Sequence, residues 1–118
     1  MKTSELRIGN WVIVHHNDVE IDFITNKEIV GAKGLHLTEL KKVKPIPLTE
    51  EWLLKFEFEY TKIAVGFNQF RKGILELSIT PNGYELFFTY KWVKIEYVHQ
   101  IQNLYFALTG EELTFKSE

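Results

Sequence analysis

Histidine is the first residue type to test for chemistry here, because the chain contains no cysteine and so no disulfide, thiolate zinc site or catalytic thiol. His15 and His16 are neighbours, so on a strand they point to opposite faces and cannot chelate one ion together. His16, Asp18 and Glu20 share one face and sketch a metal site, but their spacing matches no standard zinc or calcium set. A solvated turn without a metal is the expectation. No Gly-x-Ser-x-Gly elbow is present, and Ser4, Ser78 and Ser117 have no evident histidine and acid partners. The glycines make neither a phosphate loop nor a dinucleotide fingerprint. Gly31-Ala32-Lys33-Gly34 could wrap an anion but reads first as a turn. Only the scattered Glu76, Glu96 and His99 speak for an enzyme, at no known spacing. No catalytic residue and no cofactor are therefore expected.

Binding chemistry is better represented. Phe67, Phe70, Tyr84, Phe87, Phe88, Tyr90 and Trp92 crowd one stretch. Phe87 and Phe88 must face opposite sides of any strand that holds them, so either both faces are covered or an aromatic surface lies open to a ligand or partner. Lys62, Arg71 and Lys72 in or near that stretch could clamp phosphates while Phe70, Tyr90 or Trp92 stacks on a base. A second set, His99, Gln102, Asn103 and Phe106, falls on or beside the outer face of a C-terminal helix. Amides with an aromatic can read a planar ligand, or simply form the neutral polar outside of a helix laid on a sheet. Asp18, Glu20 and Asp22 form an acidic row that keeps an edge strand soluble or meets a basic partner.

The elements that must position these residues are those of an α+β chain. Trp11 to Val14, then Val19, Ile21 and Phe23 alternating with Glu20 and Asp22, predict a hairpin turning at His16-Asn17-Asp18. Leu35 and Leu37, alternating with His36 and Thr38, add a strand, so the N-terminal part is a small curved antiparallel sheet, SH3-like in form. After the extended Pro45-Ile46-Pro47, Thr49 caps a short helix over residues 50–56, with Leu48 stapled to Leu53 and Trp52, Leu53 and Phe56 inward. An antiparallel meander follows. Ile63, Val65 and Phe67 mark one strand, residues 68–73 a connecting loop, and residues 74–79 and 84–90 flank the turn Thr80-Pro81-Asn82-Gly83, whose Asn-Gly pair signals a hairpin. Trp92, Val93 and Ile95 make one more strand. The final helix is amphipathic, with Val98, Ile101, Tyr105 and Leu108 in one stripe, Leu104 beside it and Gly110 ending it; residues 111–115 follow as a closing strand or a docked tail.

Size and charge narrow the partners. The chain has 118 residues, room for one domain with a single core, and it is 14% aromatic. Its formal charge of −2 makes it a poor general binder of nucleic-acid polymers. It has no apolar run near the ~20 residues that span a bilayer, no basic amphipathic helix and no signal-peptide pattern behind Met1-Lys2, so a cytoplasmic protein is expected.

Three segments carry a resemblance: Leu6-Arg7-Ile8-Gly9-Asn10-Trp11-Val12, Pro45-Ile46-Pro47-Leu48-Thr49-Glu50-Glu51-Trp52-Leu53-Leu54-Lys55-Phe56, and Tyr97-Val98-His99-Gln100-Ile101-Gln102-Asn103-Leu104-Tyr105-Phe106-Ala107-Leu108-Thr109-Gly110-Glu111-Glu112-Leu113. They resemble a family of short uncharacterised proteins from Bacteroidota and their phages and prophages. In that pattern a glycine commonly stands at Glu57 and a leucine at Ile101, and residues 60–94 are unmatched. The resemblance implies an accessory protein of a mobile element working inside a bacterial cell, with no functional residues to carry over. Two functions fit the residues: sequestration of a host signalling nucleotide, or an adaptor that blocks or recruits a host protein. The aromatic stretch also suits a homo-oligomer, because a symmetric contact would hide the same patch twice.

Overall fold

The structure is a computed structural model that describes residues 5–25, 27–31, 36–64, 67–88 and 90–115. In chain order the strands are β1 (Trp11–Val14), β2 (Asn17–Ile24), β3 (Glu28–Gly31), β4 (His36–Glu39), β5 (Lys44–Pro45), β6 (Glu59–Ala64), β7 (Phe67–Lys72), β8 (Leu75–Thr80), β9 (Gly83–Phe88) and β10 (Lys91–Ile95). Helix α1 (Glu50–Lys55) lies between β5 and β6, and α2 (Val98–Thr109) follows β10. The α+β class expected from the sequence is present: two antiparallel five-stranded sheets with a short and a longer helix. Two compact units divide the chain, the first formed by Met1–Pro47 with Tyr97–Glu112 and the second by Leu48–Glu96 with Leu113–Glu118.

In the first unit the strand order is β4-β3-β2-β1-β5, with a 3-10 turn at Leu40–Lys42 leading into β5. Val12, Val14, Val19, Ile21 and Ile29 bury one face by the two-residue period of a strand. The turn between β1 and β2 is His15-His16, one residue earlier than the sequence suggested. Both histidines take positive φ, 50° and 69°. Such a pair makes a type I′ turn, whose twist suits a two-residue hairpin, and histidine enters this region more readily than most side chains. At Asp22 the β2–β3 register slips by one residue. This bulge reverses the alternation, so Phe23 is exposed and Ile24 packs on the core. Gly31 has room for nothing larger: a Cβ there would lie 2.2 Å from Val19 Cγ1 and 2.9 Å from the Glu20 carbonyl oxygen. On β4 it is Thr38 that is buried and Leu37 that is exposed, the reverse of the expected leucine face. Leu35 lies outside the described residues. The pairings among the described residues leave a curved, unclosed sheet.

Helix α2 belongs to this unit. The Gln100 side-chain oxygen accepts the Tyr97 N–H at 3.1 Å, and Gly110, at φ 76°, ends the helix with its N–H on the Phe106 carbonyl. Val98, Ile101 and Tyr105 are buried as the stripe requires, whereas Leu108 is exposed.

In the second unit Thr49 accepts the Trp52 N–H at 3.3 Å as N-cap of α1, with Glu50 and Glu51 in the first turn. The helix closes in a Schellman motif: Phe58 N–H donates to Leu53 O and Glu57 N–H to Leu54 O, with Glu57 at φ 68° in the place glycine prefers. Leu53 and Phe58, the positions that accompany this motif, are both buried. The second sheet runs β10-β9-β8-β7-β6. Residues 68–72, expected as a loop, form β7 and pair with β6 and β8, so the apolar run through Ile63 and Phe67 divides between two strands. Periodicity misled there because Gln69, Arg71 and Lys72 place polar groups along a strand whose interior residue, Phe70, is fully buried. The turn expected over Thr80-Pro81-Asn82-Gly83 is present, with Pro81-Asn82 at its centre, Thr80 paired to Gly83 and Gly83 at φ 112°. Proline presets the first turn position, and the glycine takes the left-handed place after it. Of the expected closing strand or docked tail, residues 113–115 belong to this unit and dock on it: Leu113 is buried, and the Phe115 ring lies 5.4 Å from Phe56 and 5.8 Å from Trp52.

Candidate functional site

The ten residues singled out by sequence fall into both units. In the first unit, α2 turns His99 and Gln102 inward, not outward as its polar spacing suggested. They are 4% and 1% exposed. Gln102 accepts the Trp11 N–H and donates to the Gly9 carbonyl, each at 2.9 Å. Asn103 Oδ1 accepts from Arg7 Nε at 2.9 Å and from buried Asn10 Nδ2 at 2.8 Å, while its Nδ2 donates to Glu5 O at 2.9 Å. Arg7 also bonds Glu112 and the Gln102 carbonyl, and its guanidinium lies 4.3 Å from the Phe106 ring centroid. These amides hold the chain to itself. An internal polar cluster with its hydrogen bonds satisfied specifies structure and leaves little to offer a ligand. His99 stacks on Tyr97 at 5.9 Å, and its Nδ1 finds no partner among the described residues. Burial lowers its pKa, opposed by Glu5.

In the second unit Phe70 is fully buried, between Tyr60 at 5.4 Å and Tyr84 at 6.2 Å, and is core rather than a stacking platform. Lys72 donates to the Phe56 carbonyl at 2.7 Å and lies 3.7 Å from Glu57, which engages it at the C-terminus of α1. Arg71 holds Glu76 through Nε at 3.1 Å and Nη2 at 2.6 Å. Lys62 pairs with Asn68 in the β6–β7 register, on the same face as Phe70. Tyr90 is at the β9–β10 turn, φ 64° and 92% exposed. Burial raises the Tyr84 hydroxyl pKa, and Glu50 adds to it.

The other face of this sheet holds a different constellation. Strand alternation and register put Gln69, Arg71, Glu76, Ser78, Glu85, Phe87, Trp92 and Lys94 together on it. Phe87 and Trp92 are direct cross-strand partners, their rings 5.2 Å apart, and they stay 55% and 53% exposed. Beside them is a groove of about 500 Å³ lined by Gln69, Ile74, Glu76, Ser78, Phe87 and Trp92. Of the residues chosen from sequence only Trp92 lines it. Phe87 was visible as one of a pair that could not both be buried; its partnership with Trp92 follows only once the β9–β10 pairing sets the register. Phe88, its neighbour, has a side chain outside the description.

Among the described residues no three of His, Asp and Glu gather to hold a metal ion, and no helix is long and apolar enough to cross a membrane. No family model matches the chain, and neither a curated protein nor a solved structure is significantly similar to it.

Proposed function

We propose that this chain is a non-enzymatic interaction module that docks a partner protein on the outer face of its second sheet. The observation that carries the reading is the Phe87–Trp92 pair, more than half exposed beside a groove. Exposed aromatics next to polar groups are what interface centres are made of. A base could stack there too, but sequestration of a nucleotide needs cations at the same place. Lys62 and Lys72 belong to the opposite face, Arg71 is committed to Glu76, and Lys94, on the same face as Trp92, stands opposite Glu85 and 3.8 Å from Glu96. The protein-docking reading is therefore the better supported of the two. In the setting implied by the family resemblance, a mobile element in a bacterial cell, the partner is a host protein.

The test is affinity capture from a Bacteroidota lysate with wild type, Phe87→Ala/Trp92→Ala and a control, Phe23→Ala, in the first unit. A protein captured by wild type and control but lost with the double variant supports the proposal. Equal capture by all three, or none by any, overturns it.

A further inference from the structure

We infer that the free edge of β10 takes up, as an added strand, an extended partner segment in which two acidic residues bracket two apolar ones. The inference rests on the outer face of the second sheet being the working surface, and it names the chemistry of what docks there. β10 is the terminal strand in the order β10-β9-β8-β7-β6, so one of its edges has no neighbour within that sheet. An edge strand offers alternate backbone N–H and C=O groups to an incoming strand. Past Ile95 this edge is engaged: the Glu96 carbonyl accepts the Leu48 N–H at 2.9 Å. What remains is Lys91-Trp92-Val93-Lys94, and all four side chains are exposed.

The order of these four residues defines the complement. Trp92 and Lys94 point to one face of the sheet, Lys91 and Val93 to the other. Each face therefore presents one large apolar group and one ammonium. An antiparallel segment of the pattern acidic-apolar-apolar-acidic sets a carboxylate opposite each lysine and an apolar side chain opposite Trp92 and Val93. Lys94 is only loosely held, 3.8 Å from Glu96 in an exposed pair, and Lys91 has no ion pair among the described residues. Lysines on an edge usually discourage pairing. Here they act selectively, since a second copy of β10 brings two more lysines, whereas an acidic strand brings their counter-charges. No stretch of this chain carries two acidic residues around two apolar ones, so its own strands are not the complement.

The probe is the blocked peptide acetyl-Thr-Glu-Val-Val-Glu-Thr-amide, titrated into the ¹⁵N-labelled full chain at low salt, with its lysine-for-glutamate counterpart as control. Amide shifts confined to β10 and its neighbours, with the acidic peptide binding roughly tenfold more tightly than the basic one, are expected from two rim charge pairs turned from attraction to repulsion. The variant Lys91→Glu/Lys94→Glu should reverse that preference and still melt cooperatively, at a lower midpoint because residue 94 stands opposite Glu85. Equal binding of both peptides, no binding, shifts elsewhere, or self-association through β10 would overturn the inference. None of these outcomes touches the docking proposal, which stands or falls with Phe87 and Trp92.

Discussion

Gln102 on α2 serves Trp11 as a strand neighbour would: its side-chain oxygen accepts the Trp11 N–H at 2.9 Å while its amide donates to the Gly9 carbonyl. One side chain thus satisfies two backbone groups just ahead of and within β1, and it is almost wholly buried in doing so. Removing it takes away both of these bonds. Gln102→Leu should cost about 2–4 kcal/mol in denaturant unfolding. A change under roughly 0.5 kcal/mol, the size of an ordinary surface effect, would show that the two bonds do not hold the helix to the sheet.

Glu57 occupies a left-handed C′ position that costs an L side chain about 1–2 kcal/mol. Glu57→Gly removes that strain, at the loss of a loose contact with Lys72 and some unfolded-state entropy. A net gain of about 0.5–1 kcal/mol is expected, with no gain for Glu57→Ala. Thermal melts of the two variants side by side decide it.

Gly31→Ala should destabilise by about 1–3 kcal/mol, since the new methyl would collide with Val19 Cγ1 and the Glu20 carbonyl oxygen. Adding Val19→Ala relieves only the side-chain part of the clash. The double variant should therefore cost less than the two single substitutions summed, a coupling that a double-mutant cycle measures directly.

His99 is held neutral by burial, its pKa below the ordinary imidazole value of 6.5. The unfolded chain then binds more protons than the native one once pH falls below that value. The associated stability is fully present above about pH 6.5 and declines as pH falls from there toward the lowered native pKa. Urea midpoints between pH 5 and 8 should drop on the acid side for wild type and drop less for His99→Leu. Parallel curves for the two proteins would remove His99 as the cause.

Local chemistry was legible in the sequence wherever one segment decides its own conformation. The Thr49 cap, the glutamates behind it, the Gly110 stop and the alternation through Val19 and Ile21 each depend on a few neighbouring residues, and each is present. The α+β class follows from the same signals. What sequence could not supply was register and facing. The bulge at Asp22 exposes Phe23, the histidine turn comes one residue early, and Phe87 meets Trp92 only through the register in which β9 and β10 pair. A one-residue shift sends a side chain to the other face, and no local pattern distinguishes the two outcomes. The polar residues of α2 show the same division. Their types are apparent along the chain, but whether Gln102 and Asn103 face a ligand or the backbone of residues 5–11 depends on contacts more than 90 residues apart, which only the tertiary structure makes.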